Sequence, residues 1–406
     1  MNNPQQSPLD ARNEELEKEL ALKNRELEVE AALERVRARA MAMYNSDELN
    51  DVLAVLIEQF DILGIHPVKA VLCLFDEEKN TFTFRTTGRA GQRIIGEQIF
   101  AIDSNDVFKE IFETWKNSAP HSVFCNYISS KDLPQVWNLF PNTFANMPEE
   151  ASVYPKDYPD GLYNIFGYCK FGFIGFDHTR AATESEKKIV VRFANEFERL
   201  YQRFLDLQKA EAQAREAQIE TALERVRSRS MGMHKSEELR EVIQLVFEQL
   251  LHLNIKADAA MFDLDFRESN DFNLWVAVPG SSYPRMQHIP YFDQLVFNTI
   301  RDAKASGLDF CVEQYSLEEK NQFFEHFFQH VTFVPEERKN FIFSSPGMSR
   351  STLLLKSIGL SMLNYEGIPY TEAENDIFKR LGNVFEQSYT RFLDLQKAEA
   401  QEEKQR

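Results

Sequence analysis

The sequence is short of the residues that metal, redox and phosphate chemistry use most. Its four cysteines, Cys73, Cys125, Cys169 and Cys311, stand far apart, with no C-x-x-C pair and no zinc-ligand spacing. That usage excludes a disulfide scaffold and suits a reducing cytoplasm. Cys73 and Cys169 sit inside apolar runs, where a free thiol packs as a small hydrophobe. Positive charge is scarce too: 46 Lys and Arg face 64 Asp and Glu, a net charge of −18. Nucleic acid and anionic membrane both call for a clustered basic face, so neither is expected as a partner. No apolar run approaches the roughly 20 residues that span a bilayer. The opening MNNPQQSPLD lacks the basic-then-apolar pattern of a signal peptide. The expected location is cytoplasmic.

Catalytic motifs are missing as well. There is no GxxxxGK[ST] and no strand–GxGxxG–helix unit. Gly88-Arg89-Ala90-Gly91-Gln92-Arg93 is read as a hairpin turn rather than a phosphate cradle. His326 and His330 share a helical face at i,i+4, without the glutamate of HExxH between them. Ser344-Ser345-Pro346-Gly347 lacks the nucleophile elbow. Asp263 and Asp265 alternate on one strand and are expected on its solvated face. No catalysis is expected of this chain.

What the chain does contain is a copy of itself. Phe204–Gln213, FLDLQKAEAQ, returns unchanged at Phe392–Gln401, an offset of 188, and Ala32–Leu49 matches Ala222–Leu239 at 12 of 18 positions, an offset of 190. A repeat of this length means two copies of one domain. The middle stretch from Glu184 to Met233 has no proline and one glycine and is rich in strong helix formers. A helix of roughly 50 residues is about 75 Å long, more than a domain interior holds, so it is read as a rod between the copies. The domains expected are 9–45 (coiled-coil helix), 46–183, 184–235 (connecting coiled coil), 236–371 and 372–406 (exit helix).

Leu9, Leu16, Leu20 and Leu27 fall near heptad spacing, and Val29, Leu33, Val36, Ala40 and Met43 continue in a shifted register, as a stutter would. The stripes Val29–Met43 and Phe197–Leu207 would stand exposed on a monomer and predict dimer seams and a parallel homodimer. The phase slips again between Leu207 and Ile219, a step that could act as a switch or be passive. Ser46-Asp47-Glu48 and Ser236-Glu237-Glu238 are expected to cap a short amphipathic helix in each copy. Strands follow at 68–75, 81–87 and 94–102, then helices at 107–117 and 131–139, a loop over 141–161 and a closing strand pair at 163–177. The second copy repeats the plan: strands at 257–266, 272–278 and 286–289, helices at 291–305, 317–329 and 335–343, and last strands over 353–364. The fold class is α+β: an antiparallel sheet with helices gathered on its faces.

A long helix in, a β-meander, intervening helices, the strand turn Gly172-Phe173-Ile174-Gly175 and a helix out from Thr183-Glu184-Ser185-Glu186 resemble GAF domains. The linker phrases are similar to tandem GAF-like sensor regions of bacterial signalling proteins. The resemblance implies a dimeric, non-catalytic module of two-component type that binds a small ligand or a partner. It would relay the signal through its helices to a kinase, phosphatase or cyclase output, which lies beyond this chain if the chain is a fragment. It also places Trp275, His288, Tyr291 and Phe292 at the ligand cavity, although Trp275 and Phe292 also read as plain core; which copy senses is left open, with a lean to the second because the first has fewer polar groups among its aromatics. No cofactor is indicated, and the Asn-Lys-Phe-Asp-Glu set of cyclic-nucleotide binders is not found. A structural dimer spacer with sealed cores, or an enzyme with a GAF-like cavity, are the alternative readings.

Overall fold

The structure, a computed structural model, describes residues 8–44, 48–87, 95–140, 152–264, 269–280, 285–332 and 334–405. They form two compact units that divide between Ala212 and Gln213. The first runs α1 (Pro8–Met41), α2 (Leu49–Ile62), β1 (Lys69–Asp76), β2 (Thr81–Thr87), β3 (Ile95–Ala101), α3 (Asp106–Asn117), β4 (Val123–Ile128), α4 (Leu133–Asn138), β5 (Leu162–Cys169) and β6 (Gly172–His178). The long helix α5 (Glu184–Met231) then contributes its first half here and its second half to the next unit. The second unit continues with α6 (Leu239–His252), β7 (Ala259–Leu264), β8 (Phe272–Ala277), β9 (Arg285–Ile289), α7 (Leu295–Ala305), β10 (Phe310–Ser316) and α8 (Leu317–His330). It ends with α9 (Glu336–Ser344), β11 (Gly347–Leu354), β12 (Ile358–Asn364) and α10 (Glu372–Gln405). Each unit has one six-stranded antiparallel sheet, β3-β2-β1-β6-β5-β4 and β10-β11-β12-β7-β8-β9. Read from the opposite edge the second order repeats the first, so the expected α+β class holds twice. Among the described residues no helix is long and apolar enough to cross a membrane.

Three strands depart from the sequence reading. β4 and β10 are edge strands where no strand was expected, and β4 is half-exposed along its length, so it lacks an apolar alternation. β11 begins at Gly347 rather than Leu353, because Ser349, Arg350, Ser351 and Thr352 are buried by hydrogen bonding instead of apolarity.

The largest correction concerns the seams. Val29, Leu33, Val36, Ala40 and Met43 are buried inside one chain, against Leu56 and Phe60 of α2 and Phe193, Phe197 and Leu200 of α5. This helical layer covers Ala70, Leu72, Ile174 and Phe176 on one sheet face. Ile219, Leu223, Val226 and Met233 do the same with α6 and α10. The supposed dimer seams are therefore internal packing. The apparent stutter is a change of face, since Leu27 and Val29 lie about 200° apart around a helix. The slip between Leu207 and Ile219 likewise separates two stripes that each serve their own unit.

The two copies repeat this layer bond by bond. Arg25 donates to the Leu63 carbonyl and Arg215 to that of Leu253, closing the end of the short helix. Arg39 binds Glu48 and Asp51, as Arg229 binds Glu238 and Glu241. Arg192 reaches Glu26 and Glu30, as Arg380 reaches Glu216 and Glu220. Ser46 and Asp47 lie outside the described residues; Glu48 and Glu238 stand at the N-caps without a side-chain cap bond.

Both exit helices start from a T-x-x-E capping box. Glu186 accepts the Thr183 N–H at 2.8 Å while Thr183 Oγ1 accepts the Glu186 N–H at 3.2 Å, and Thr371 and Glu374 repeat the pattern. Glu186 also takes a two-pronged bond from Arg180 at 2.9 and 2.7 Å. Arg180, opposed by burial and then helped by Thr183, holds the Glu186 carboxyl down at about 2 against an ordinary 4.5. The carboxylate form is thus favoured by folding. Its contribution is complete above pH 4.5 and disappears as the pH falls towards 2. Glu186→Gln is expected to cost about 1 kcal/mol at pH 7, Arg180 being half exposed, with the gap to wild type closing between pH 4.5 and 2. Urea unfolding at stepped pH reads this directly, and a pH-independent gap would refute it.

Candidate ligand cavity

Strand alternation sends Ala70, Leu72 and Leu74 of β1 towards the helical layer, and Lys69, Val71 and Cys73 to the other face. That second face is roofed by α3 and α4. Asn105 caps α3 by accepting the Phe108 N–H at 2.9 Å, which lays Phe108 and Ile111 onto the sheet. Pro134 stands in the first turn of α4, which turns Leu133, Val136 and Trp137 inward. Between roof and sheet lies a cavity of about 110 Å³. Its walls are apolar and aromatic, with Phe82 stacked on Phe100 at 5.2 Å and Phe84 on Phe140 at 4.3 Å. The Cys73 thiol also lines it, and burial pushes that thiol well above its ordinary range, so it is a neutral wall group.

One end of the cavity is polar. Lys69 Nζ lies 2.8 Å from Asp177 Oδ2, and Asn164 Nδ2 donates to Asp177 Oδ1 at 2.7 Å. The pair is almost fully withdrawn from water, at 7% and 4% side-chain exposure. The ammonium also sits over the rings of Trp137 and Phe84, at 5.3 and 5.7 Å. Trp137 is itself fixed by its indole N–H on the Val153 carbonyl at 3.0 Å. The result is a small aromatic chamber with one donor and one acceptor side by side.

The second unit fills the same space. Strand register sets Lys69, Asp177 and Asn164 equivalent to Ala259, Leu363 and Arg350. The ion pair is replaced by two apolar residues. Arg350 is instead turned into a closed network with Glu313, Tyr315 and Thr299. Glu313 keeps its carboxyl below the usual range because Arg350 outweighs burial. Phe323, Phe324 and Phe327 of α8 complete the packing, and only about 20 Å³ remains, space for one water. Among the described residues, the first unit holds the larger space on this face.

The four residues expected at the cavity are not brought together. Trp275 packs towards α6 and α10, and its indole nitrogen is buried without a hydrogen-bond partner among the described residues. His288 pairs in register with Asn273 on that same face and bonds it at 2.9 Å, half exposed. Tyr291 belongs to the opposite face, its hydroxyl donating to Asn298 and accepting from Arg301. Phe292 is exposed and stacks on His326 at 4.7 Å. The His326 and His330 rings lie 4.9 Å apart, and no group of three or more metal-ligating side chains occurs among the described residues. Asp263 is buried rather than solvated, accepting the Asn273 N–H at 2.9 Å; Asp265 and Gly88–Arg93 lie outside the described residues. Lys69, Asp177, Asn164 and Trp137 were missed. Their signal was a single charge near the end of each apolar strand run, in VKAVLCLF and GFIGFDH.

No protein-family model matches the chain, and no curated protein matches it. Among solved structures, it is similar to the GAF domain of an Acinetobacter phosphoenolpyruvate-protein phosphotransferase, at 11% identity and a TM-score of 0.28. That match covers 42% of this chain and 93% of the other.

Proposed function

We propose that this chain is a non-catalytic sensory module of intracellular signalling, whose first unit binds a small molecule and whose second serves as a packed transmitter domain. The observation that carries this is the cavity beside the buried Lys69–Asp177 pair. A structural spacer has no use for it, since the second unit seals the same face with apolar residues at both charge positions. The helix α5 buries Phe193 and Phe197 in the first core and Leu223 and Val226 in the second, so one continuous helix contributes to both. A ligand that alters the first core thereby acts on a helix of the second. The output would be a kinase, phosphatase or cyclase domain.

Dimerisation belongs to the same proposal, on a different surface from the internal seams. Leu16, Leu20 and Leu27 are 46%, 60% and 68% exposed, on the side of α1 opposite Val29. With Leu20 and Leu27 at heptad position a, Leu9 and Leu16 fall at d and Asn13 at a, where a single asparagine favours a parallel, in-register pair; Lys23 takes the remaining d. Arg12 at g then faces Glu17 at e of a second copy. Native mass spectrometry of the purified chain is expected to show twice the chain mass, and a retained small molecule where the cavity was filled in the cell. Leu16→Asp with Leu20→Asp should give a monomer that still folds. A wild-type monomer at micromolar concentration would sink the dimer, and turnover of ATP or GTP that tracks the repurified protein would sink the non-catalytic reading.

A further inference from the structure

We infer that the cavity of the first unit takes a small neutral hydroxyaromatic molecule, a phenol, whose hydroxyl accepts from Lys69 and donates to Asp177. This rests on the sensory reading and adds the ligand class. Size is the first constraint. About 110 Å³ is the class of engineered cavities that admit benzene, whereas drug-sized ligands occupy roughly 300 Å³ or more, so a nucleotide is excluded. Shape is the second. Phe82, Phe84, Phe140, Phe166 and Phe173 line the chamber, and flat rings pack on such walls by stacked or edge contacts.

Charge decides the rest. Lys69 and Asp177 neutralise each other at 2.8 Å with almost no water contact. An anionic ligand would leave a net negative charge buried beside Asp177, and a cationic one a net positive charge beside Lys69; either cost is severe in such surroundings. A hydrocarbon would enter but leave the polar end unanswered. The ammonium has N–H donors beyond the one aimed at Asp177, and the carboxylate has lone pairs beyond those facing Lys69 and Asn164. A hydroxyl offers one acceptor and one donor on a single atom, which matches that adjacent pair. A ring carrying it fills the apolar remainder.

The test uses the full chain and four compounds of similar size: phenol, benzoate, benzylamine and toluene, each titrated calorimetrically at pH 7. Phenol should bind at least about tenfold more tightly than the other three. Lys69→Met with Asp177→Leu should bring phenol and toluene to equal affinity, and Val71→Phe should remove phenol binding by filling the chamber. If benzoate or benzylamine binds as tightly as phenol, the neutral-hydroxyl class is overturned while the sensory cavity stands. Equal binding of phenol and toluene by the wild type overturns it too. If none of the four binds, both the class and the cavity reading fall.

Discussion

Asp177→Leu is expected to destabilise the first unit by about 3–5 kcal/mol, and adding Lys69→Met should recover most of that loss. The single change strands an ammonium at 7% exposure with no carboxylate beside it, and the cost of a buried, unpaired charge falls in that range. The double change removes both charges, and well-packed apolar replacements of an ion pair are often neutral or better. The second unit carries out this replacement naturally, with Ala259 and Leu363 at the same two register positions. The rings of Trp137 and Phe84 over Lys69 soften the penalty without removing it. Tryptophan fluorescence can follow the first unit alone in a Trp275→Phe background, because the other two tryptophans, Trp115 and Trp137, both lie there. A single variant within about 1 kcal/mol of wild type, or a double no better than the single, would show that the pair is not the buried couple described.

That comparison explains how much could be read from the sequence. The helices, both meanders and the α+β class follow from repeated phrases and from apolar periodicity, and the short helices 49–62 and 239–252 pack on their sheets as the spacing of Leu56 and Phe60 implies. Periodicity alone does not name the partner of an apolar stripe. Val29–Met43 looked like a seam between chains because a helix shows the same i,i+3/i+4 pattern whether its partner is another copy or its own exit helix. The arginines that recur in both copies held the missing information, since Arg25, Arg39 and Arg192 each bond within the unit. The site was hidden for a different reason. Lys69 and Asp177 are 108 residues apart in sequence and meet only through the pairing of β1 with β6. Trp275 looked like a pocket residue by type, yet strand alternation turns it to the helical side. β11 was read short because buried serines carry no apolar signal.

Gly175→Ala should cost the first unit more than about 3 kcal/mol. A Cβ at Gly175 would overlap the Ile165 carbonyl oxygen and stand 2.8 Å from Phe166 Cα, both backbone atoms of the neighbouring strand. Neither can rotate away as a side chain would. β6 is central, paired to β1 and β5, so a shift to relieve the clash disturbs two ladders and the Asn164–Asp177 bond with them. Gly172, at the start of the same strand, has φ +152°, and its Cβ would collide with the Cys73 carbonyl. Gly172-Phe173-Ile174-Gly175 is therefore the start of β6 rather than the turn expected, and its glycines answer to backbone proximity and need no ligand to account for them. Gly232 is the control: the nearest atom to its Cβ is the Ser228 carbonyl oxygen at 3.5 Å, an ordinary contact. Gly232→Ala should therefore stay within about 1 kcal/mol of wild type, with a small gain if restriction of the unfolded chain dominates. Denaturant midpoints for the two variants read the contrast, and a Gly175→Ala protein as stable as Gly232→Ala would mean that β5 and β6 do not approach as closely as described.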